Sequence, residues 1–274
     1  MIARAAAACL LAAAAFVAQA ADPVAFVADL QGNATIEGNG KVSFLAELPA
    51  GTRLLLGTGA TVAVTYASTG SEFTLTGPGE FLVAPAEVKA ERGAAPKKRT
   101  VSVLPDPAVI AKVSRTANAS LRMRGINPKA VTQVALEYPV NTRVTTLQPT
   151  LRWSGDPTAE KFDVVVLDPA GKEVWKGDVK PSMAKPSVKL SPATIYTWTV
   201  MTPKGARAEG RFETLSAADM ARAEKSRAAA KTFSERVMHA FILQDIGATQ
   251  DARDAWAALA RERPDIPELA VLGR

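Results

Sequence analysis

From Pro23 to about Val88 the chain is broken by Gly or Pro every few residues, and this punctuation constrains the fold more than any other feature. The pieces between the breaks alternate, as in Thr61-Val62-Ala63-Val64-Thr65-Tyr66 and Glu72-Phe73-Thr74-Leu75. Alternation with period two puts the apolar side chains of an extended segment on one face. Gly38-Asn39-Gly40 has hairpin-turn chemistry, and Thr69-Gly70 and Gly77-Pro78-Gly79 mark two further turns. Residues 21–88 are therefore expected to form an all-β domain of short antiparallel strands.

Two other periods follow. Between residues 131 and 215 the strand candidates begin with Pro149–Ser154, Lys161–Leu167, Glu173–Trp175 and Ser187–Leu190. Tyr196–Met201 and Gly210–Thr214 complete the set. Asp168-Pro169-Ala170-Gly171-Lys172 and Pro203-Lys204-Gly205 are turns, and short strands at this spacing predict an antiparallel sandwich. After Leu215 the period becomes helical. Ser216 opens a run free of Gly and Pro that reaches Gly247, a long helix or two contiguous ones. A second helix is expected from Thr249 to Arg263, ended by Pro264 and Pro267. The expected fold class is mainly β: a short-stranded β domain, an antiparallel β-sandwich, then a C-terminal helical hairpin over residues 216–274.

Residues 1–20 carry Arg4, an apolar run and Ala18-Gln19-Ala20, the pattern of a cleaved secretory signal. The run is short for a bilayer span. Cys9, the only cysteine, would leave with the signal, so disulfides, thiolate nucleophiles and thiolate metal sites are excluded from the mature chain. No later stretch approaches membrane-spanning length, so no transmembrane segment is expected after cleavage.

The net charge of +6 is regional: ten Lys and Arg lie between Lys89 and Lys129, against Glu91 and Asp106 alone. Residues 89–130 read as a basic connector, either a solvated flexible link or a surface for an anionic partner. Lys97, Lys98, Arg99, Arg122 and Arg124 are the candidate anionic-partner residues. For an exported chain that partner is wall polymer, lipid headgroup or acidic protein, and no nucleic acid is expected.

Tyr196, Trp198 and Val200 share one face of a strand, which makes them a core or a ligand platform. Spacing from Leu190 to Tyr196 suits a tyrosine folded back onto upstream backbone, which favours core. Trp153 and Phe162 would join them. Trp175, beside Lys172 and Lys176 on an edge strand, is the candidate exposed aromatic.

The order LxGxxxI (Leu30–Ile36), LPAGTRL, LGTGATVAVTY and TGSEFTLTGPGEF resembles the FecR-type periplasmic domain over roughly Val24 to Val88. ASLRMRG at Ala119–Gly125 is similar to a segment that trails such domains. The resemblance implies a periplasmic β domain that, in iron-uptake regulators, receives a signal from an outer-membrane receptor and passes it through a membrane span to a sigma-factor regulator. This chain has a signal-like N-terminus and no cytoplasmic segment before it, which argues against direct sigma-factor control. PTLRW, FDVVVLDPAGKEVW, LSPATIYTWTV and GRFET together resemble a fibronectin type III or immunoglobulin-like domain of envelope proteins. The last two helices resemble one degenerate tetratricopeptide repeat, with Ala240, Ala252, Trp256 and Pro264 in place but Arg236 where the family prefers Trp. A single repeat buries its face poorly, so the pair is expected to pack on the preceding helix, the sandwich or a second chain.

His239, the only histidine, lies mid-helix among apolar residues, and no Ser/His/Asp set, metal spacing or phosphate loop stands out. No cofactor, metal or catalytic residue is expected. The reading is a non-enzymatic periplasmic binding or scaffold protein that contacts cell-wall polymer or an envelope protein partner. The alternatives are a periplasmic sensor subunit of a transmembrane signalling system and, more remotely, a glycan enzyme using scattered carboxylates.

Overall fold

The computed structural model describes residues 22–120, 134–155, 161–179 and 182–274. The signal segment and part of the basic stretch, including Arg122 and Arg124, lie outside them. Among the described residues no helix is long and apolar enough to cross a membrane.

The first β unit contains β1 (Pro23–Gln31), β2 (Ala34–Ile36), β3 (Gly40–Lys41), β4 (Glu47–Pro49) and β5 (Arg53–Leu56). It continues through β6 (Thr61–Tyr66), β7 (Ser71–Thr76), β8 (Gly79–Val83), β9 (Val88–Arg92) and β10 (Lys97–Thr100). Two five-stranded antiparallel sheets result, ordered β10-β7-β6-β1-β4 and β3-β2-β5-β8-β9. Their facing sides enclose Val27, Leu48, Leu54, Val64, Leu75 and Phe81. Among the places where the chain crosses between the sheets, those after β1, β5 and β7 touch. Gly57 N–H donates to Asn33 O, and Gly77 N–H donates to Ala60 O. A Cβ on Gly77 would sit 2.1 Å from Gly57 O, so only glycine allows that approach.

β1 is buried on both faces. Ala25 and Val27 face the opposite sheet, whereas Phe26 and Ala28 belong to a second core shared with helices. A strand covered on both sides reads as a continuous apolar run, as PVAFVADL does.

The stretch read as a connector is structured as far as Ser120. It supplies β10, paired along its length with β7, and helix α1 (Pro107–Ser120). Asp106 starts the helix by accepting from Ala108 N–H, with Pro107 in the first turn, where its missing donor costs nothing. Charge dominated the sequence reading of this stretch, but Ile110 and Val113 are buried, and that packing orders it.

The second β unit contains β11 (Ala135–Tyr138), β12 (Thr142–Val144), β13 (Leu151–Ser154) and β14 (Phe162–Leu167). It is completed by β15 (Glu173–Val179), β16 (Met183–Ala184), β17 (Ile195–Met201) and β18 (Arg207–Thr214). Sheets β11-β13-β16 and β12-β18-β17-β14-β15 face each other in a β-sandwich, with β12 running parallel to β18. Trp153 and Trp198 lie at its centre with ring centroids 6.4 Å apart, and Phe162 meets Trp153 edge-on. The predicted strand Ser187–Leu190 does not form. That segment lies between Pro186 and Pro192, pins Leu190 into the core through its N–H to Leu147 O, and leaves the edge position to β16.

The helical run resolves into α2 (Ala217–Ala229) and α3 (Phe233–Asp245), followed by α4 (Thr249–Glu262) and the short α5 (Pro267–Leu272). α2 and α3 are separate because Thr232 opens a capping box with Glu235, a stronger start signal than the Ala-rich sequence around it. α3 packs on the preceding helix α2, one of the expected partners, through Ala223 and Leu243, and the helical pair also docks on a surface that was not expected. Val237, Phe241, Trp256 and Leu269 pack with Phe26 and Phe44 of the first β unit and with α1. Leu45 adopts a positive φ of 59° to place its buried side chain in this core, and its carbonyl accepts from Ser114 on α1.

The first turn of α4 reaches the sandwich. Gln250 accepts from Val140 N–H and donates to Glu137 O, while Thr145 donates to Asp251. Helices α3 and α4 thus bracket the two β units.

Candidate functional site

The three basic residues of β10 do different things. β10 is an edge strand, and Lys97 and Lys98 are exposed on it, with Lys98 Nζ 5.6 Å from the Phe73 ring centroid. Lysines on a sheet edge also discourage pairing with another chain. Arg99 turns toward the helices. Its Nε donates to Glu72 at 2.7 Å, Nη1 to Glu235 at 2.6 Å, and Nη2 to Thr232 and Ser234 at 3.0 and 2.7 Å. Glu72 is buried and takes further hydrogen bonds from Thr65 and Ser234. Burial works against the Arg99 charge, but Glu72 and Glu235 outweigh it and hold the guanidinium more firmly protonated than usual.

Arg99 is therefore a structural clamp between sheet and helix, and its place among the candidate anion-binding residues is corrected. Its partners stand opposite in the β7 register and 136 residues away at the α3 cap, and charge counting sees neither.

A second clamp sits at the other end of the bracket. Arg263 donates to Asp29 and to Leu30 O, stacks over Phe233 with 5.2 Å to the ring centroid, and is held by Asp265. Asp265 and then Asp29 hold its guanidinium more firmly protonated than usual, outweighing burial, which works against the charge.

Trp175 is also corrected: it is half-buried against the sandwich core. Its ring lies over Gly177, where an added Cβ would come within 2.5 Å of the indole. Glycine two residues on lets the large side chain lie along its own strand, and the edge position gave no sign of it.

Unpaired cations gather elsewhere. A cleft of about 210 Å³ opens where α1, the end of α3, α4 and the end of α5 converge. Lys112, Arg253 and Arg274 line it, with Gln244, Thr249 and Trp256 among its other walls. All three cations are exposed, no described Asp or Glu side chain lines the cleft, and among the described residues none of the three makes an ion pair. Trp256 is nearly fully buried, and its indole Nε1 finds no acceptor. Gln244 has no described side-chain partner either, so the cleft offers donors in excess.

Sequence reasoning counted Lys112 within a basic stretch but did not join it to Arg253 and Arg274. Those residues are brought to it by the packing of α1 on α5 and α3, which no local pattern encodes. Among the described residues, no group of three or more His, Cys, Asp or Glu side chains is placed to hold a metal ion.

No protein-family model matches the chain, and no curated protein matches it. Among solved structures it is similar to a two fibronectin type III domain segment from chicken tenascin, at 14% identity and a TM-score of 0.23, over 72% of this chain and 87% of that one. The sandwich assignment rests on the strand order and register of residues 135–214 themselves.

Proposed function

We propose that this chain is a non-enzymatic binding or scaffold protein of the bacterial cell envelope, exported to the periplasm, that engages an anionic wall polymer or the acidic surface of an envelope protein. The observation that carries this reading is the set of cations without counter-ions: Lys97 and Lys98 on an open sheet edge, and Lys112, Arg253 and Arg274 around one cleft. Charges left unpaired on a folded surface attract polyanions in a salt-dependent way. The helices support a scaffold role, because they hold two β units in one arrangement and so fix how far apart their free surfaces stand.

The FecR-type resemblance belongs to the same reading. Its turns, Gly38-Asn39-Gly40, Thr69-Gly70 and Gly77-Pro78-Gly79, fall between consecutive strands of the first β unit. The tetratricopeptide-like resemblance of α3 and α4 is supported by the burial of Ala240, Ala252 and Trp256 at their contact. In this account that repeat is used within the chain, packed on the first β unit and α1.

The test is co-sedimentation of the protein lacking residues 1–20 with intact peptidoglycan sacculi at low and high salt. Pelleting at low salt that fades at high salt is the expected result. Absence from the pellet at both salts would overturn the wall reading.

A further inference from the structure

We infer that the cleft between α1, α4 and α5 is a binding site for a compact anionic group, a phosphate or a carboxylate, read by Lys112 and Arg253 with Arg274 at its rim. This deepens the reading of the chain as a binder of anionic partners by assigning the contact to one concave site.

Three features separate the cleft from an ordinary solvated basic face. Lys112 lies on α1, Arg253 on α4 and Arg274 just past the end of α5, so the periodicity of one helix does not place them together. All three line one cleft, and no described Asp or Glu side chain lines it to balance them. The wall also holds Gln244, whose side-chain amide has no described partner, beside the largely buried ring of Trp256. A side-chain amide left without a partner at a cleft wall can donate to a bound acceptor.

An anion in the cleft would accept from an arginine fork and an ammonium together, the pairing that gives the strongest hydrogen bonds to phosphate and carboxylate. Val113, Val271 and Leu272 form the apolar part of the wall. A ligand carrying a short apolar portion beside its anionic group therefore fits better than a free inorganic ion. Lys97 and Lys98, on an open edge, offer no such enclosure and would add only long-range attraction.

The experiment is thermal unfolding of the full chain with inorganic phosphate or acetate, each against sodium chloride at matched ionic strength, for wild type and the Lys112→Gln/Arg253→Gln variant. Wild type is expected to gain about 3 °C in Tm at a phosphate or acetate concentration well above Kd. The doubly substituted protein should gain none, and Arg253→Lys should keep part of the gain. A gain with phosphate alone identifies a phosphate-bearing ligand, and a gain with acetate a carboxylate; both support the site. No gain over chloride in wild type, or an equal gain in the double variant, would overturn it. Because each gain is read within one protein, a change in the variant's own stability does not confuse the result, and the single Lys112→Gln variant, altered at an exposed position, provides a second route. Sacculus pelleting is a separate readout. A protein that pellets but shows no anion gain keeps the envelope reading and loses this site; one with the gain that never pellets does the reverse.

Discussion

Arg99 reaches four side chains, and its removal would strand the buried Glu72 carboxylate. Breaking such a pair costs more than the pair contributes, because a charge is left where water cannot reach it. With the Arg99 side chain 30% exposed, the expected loss for Arg99→Gln is about 2–3 kcal/mol, somewhat below a fully buried pair. Adding Glu72→Gln should restore part of that loss, since the stranded charge goes with it. Urea unfolding of the two single variants and the double variant measures the coupling, and simple additivity would show that Arg99 and Glu72 act independently.

The same scale shows what sequence reveals and what it hides. The Tyr196 corner was legible because it is local: the Tyr196 hydroxyl accepts from Ser191 N–H, five residues upstream. Trp198 was legible through alternation, and the structure buries it fully with its Nε1 donating to Pro139 O. Arg99 was not legible, because a cation in a basic run looks free until its distant partners are known.

At the scale of elements, α2 and α3 meet through a titratable pair. His239 Nδ1 lies 2.8 Å from Ser226 Oγ, and burial, reinforced by the positive charge of Arg227 and opposed by Glu224, holds the imidazole below its usual pKa. In the unfolded chain the histidine regains its ordinary value of about 6.5. As pH falls through that value the unfolded state takes up the proton first, so stability drops with acidification until the folded histidine also protonates; above it the group has no effect. Wild type should therefore lose more Tm between pH 7.5 and pH 5.5 than His239→Gln, which keeps a polar group facing Ser226. Equal losses would remove His239 as the cause.

Element boundaries follow the same logic. The Thr232-Phe233-Ser234-Glu235 capping box and the Asp106-Pro107 start are both local sequence signatures, and each marks a helix. Of the two expected forms of the helical run, the structure has the pair of successive helices, α2 and α3, while the connector reading gave too much weight to charge. β16 was missed because two residues carry no period.

For the whole molecule, the order of the three regions along the chain was legible because each has its own period. Their arrangement was not. The helical end packs on the first β unit, a partner absent from the expected set, because the outward face of β1 offers Phe26 and Ala28 as a second apolar surface. Two apolar faces on one strand were visible in PVAFVADL, but only the three-dimensional sheet shows that one of them needs a cover. The Arg99 clamp and the cleft of Lys112, Arg253 and Arg274 both exist only while that cover is in place. That shared core is the central claim, and amide hydrogen exchange across a denaturant series tests it most directly. The account predicts that the slowest amides of β1, β6 and β7 and those of α3 and α4 open together, with one free energy. If α3 and α4 instead open as a separate, weaker unit while the β strands stay protected, the helices are an appendage, and the clamp and cleft built on them fall with that result.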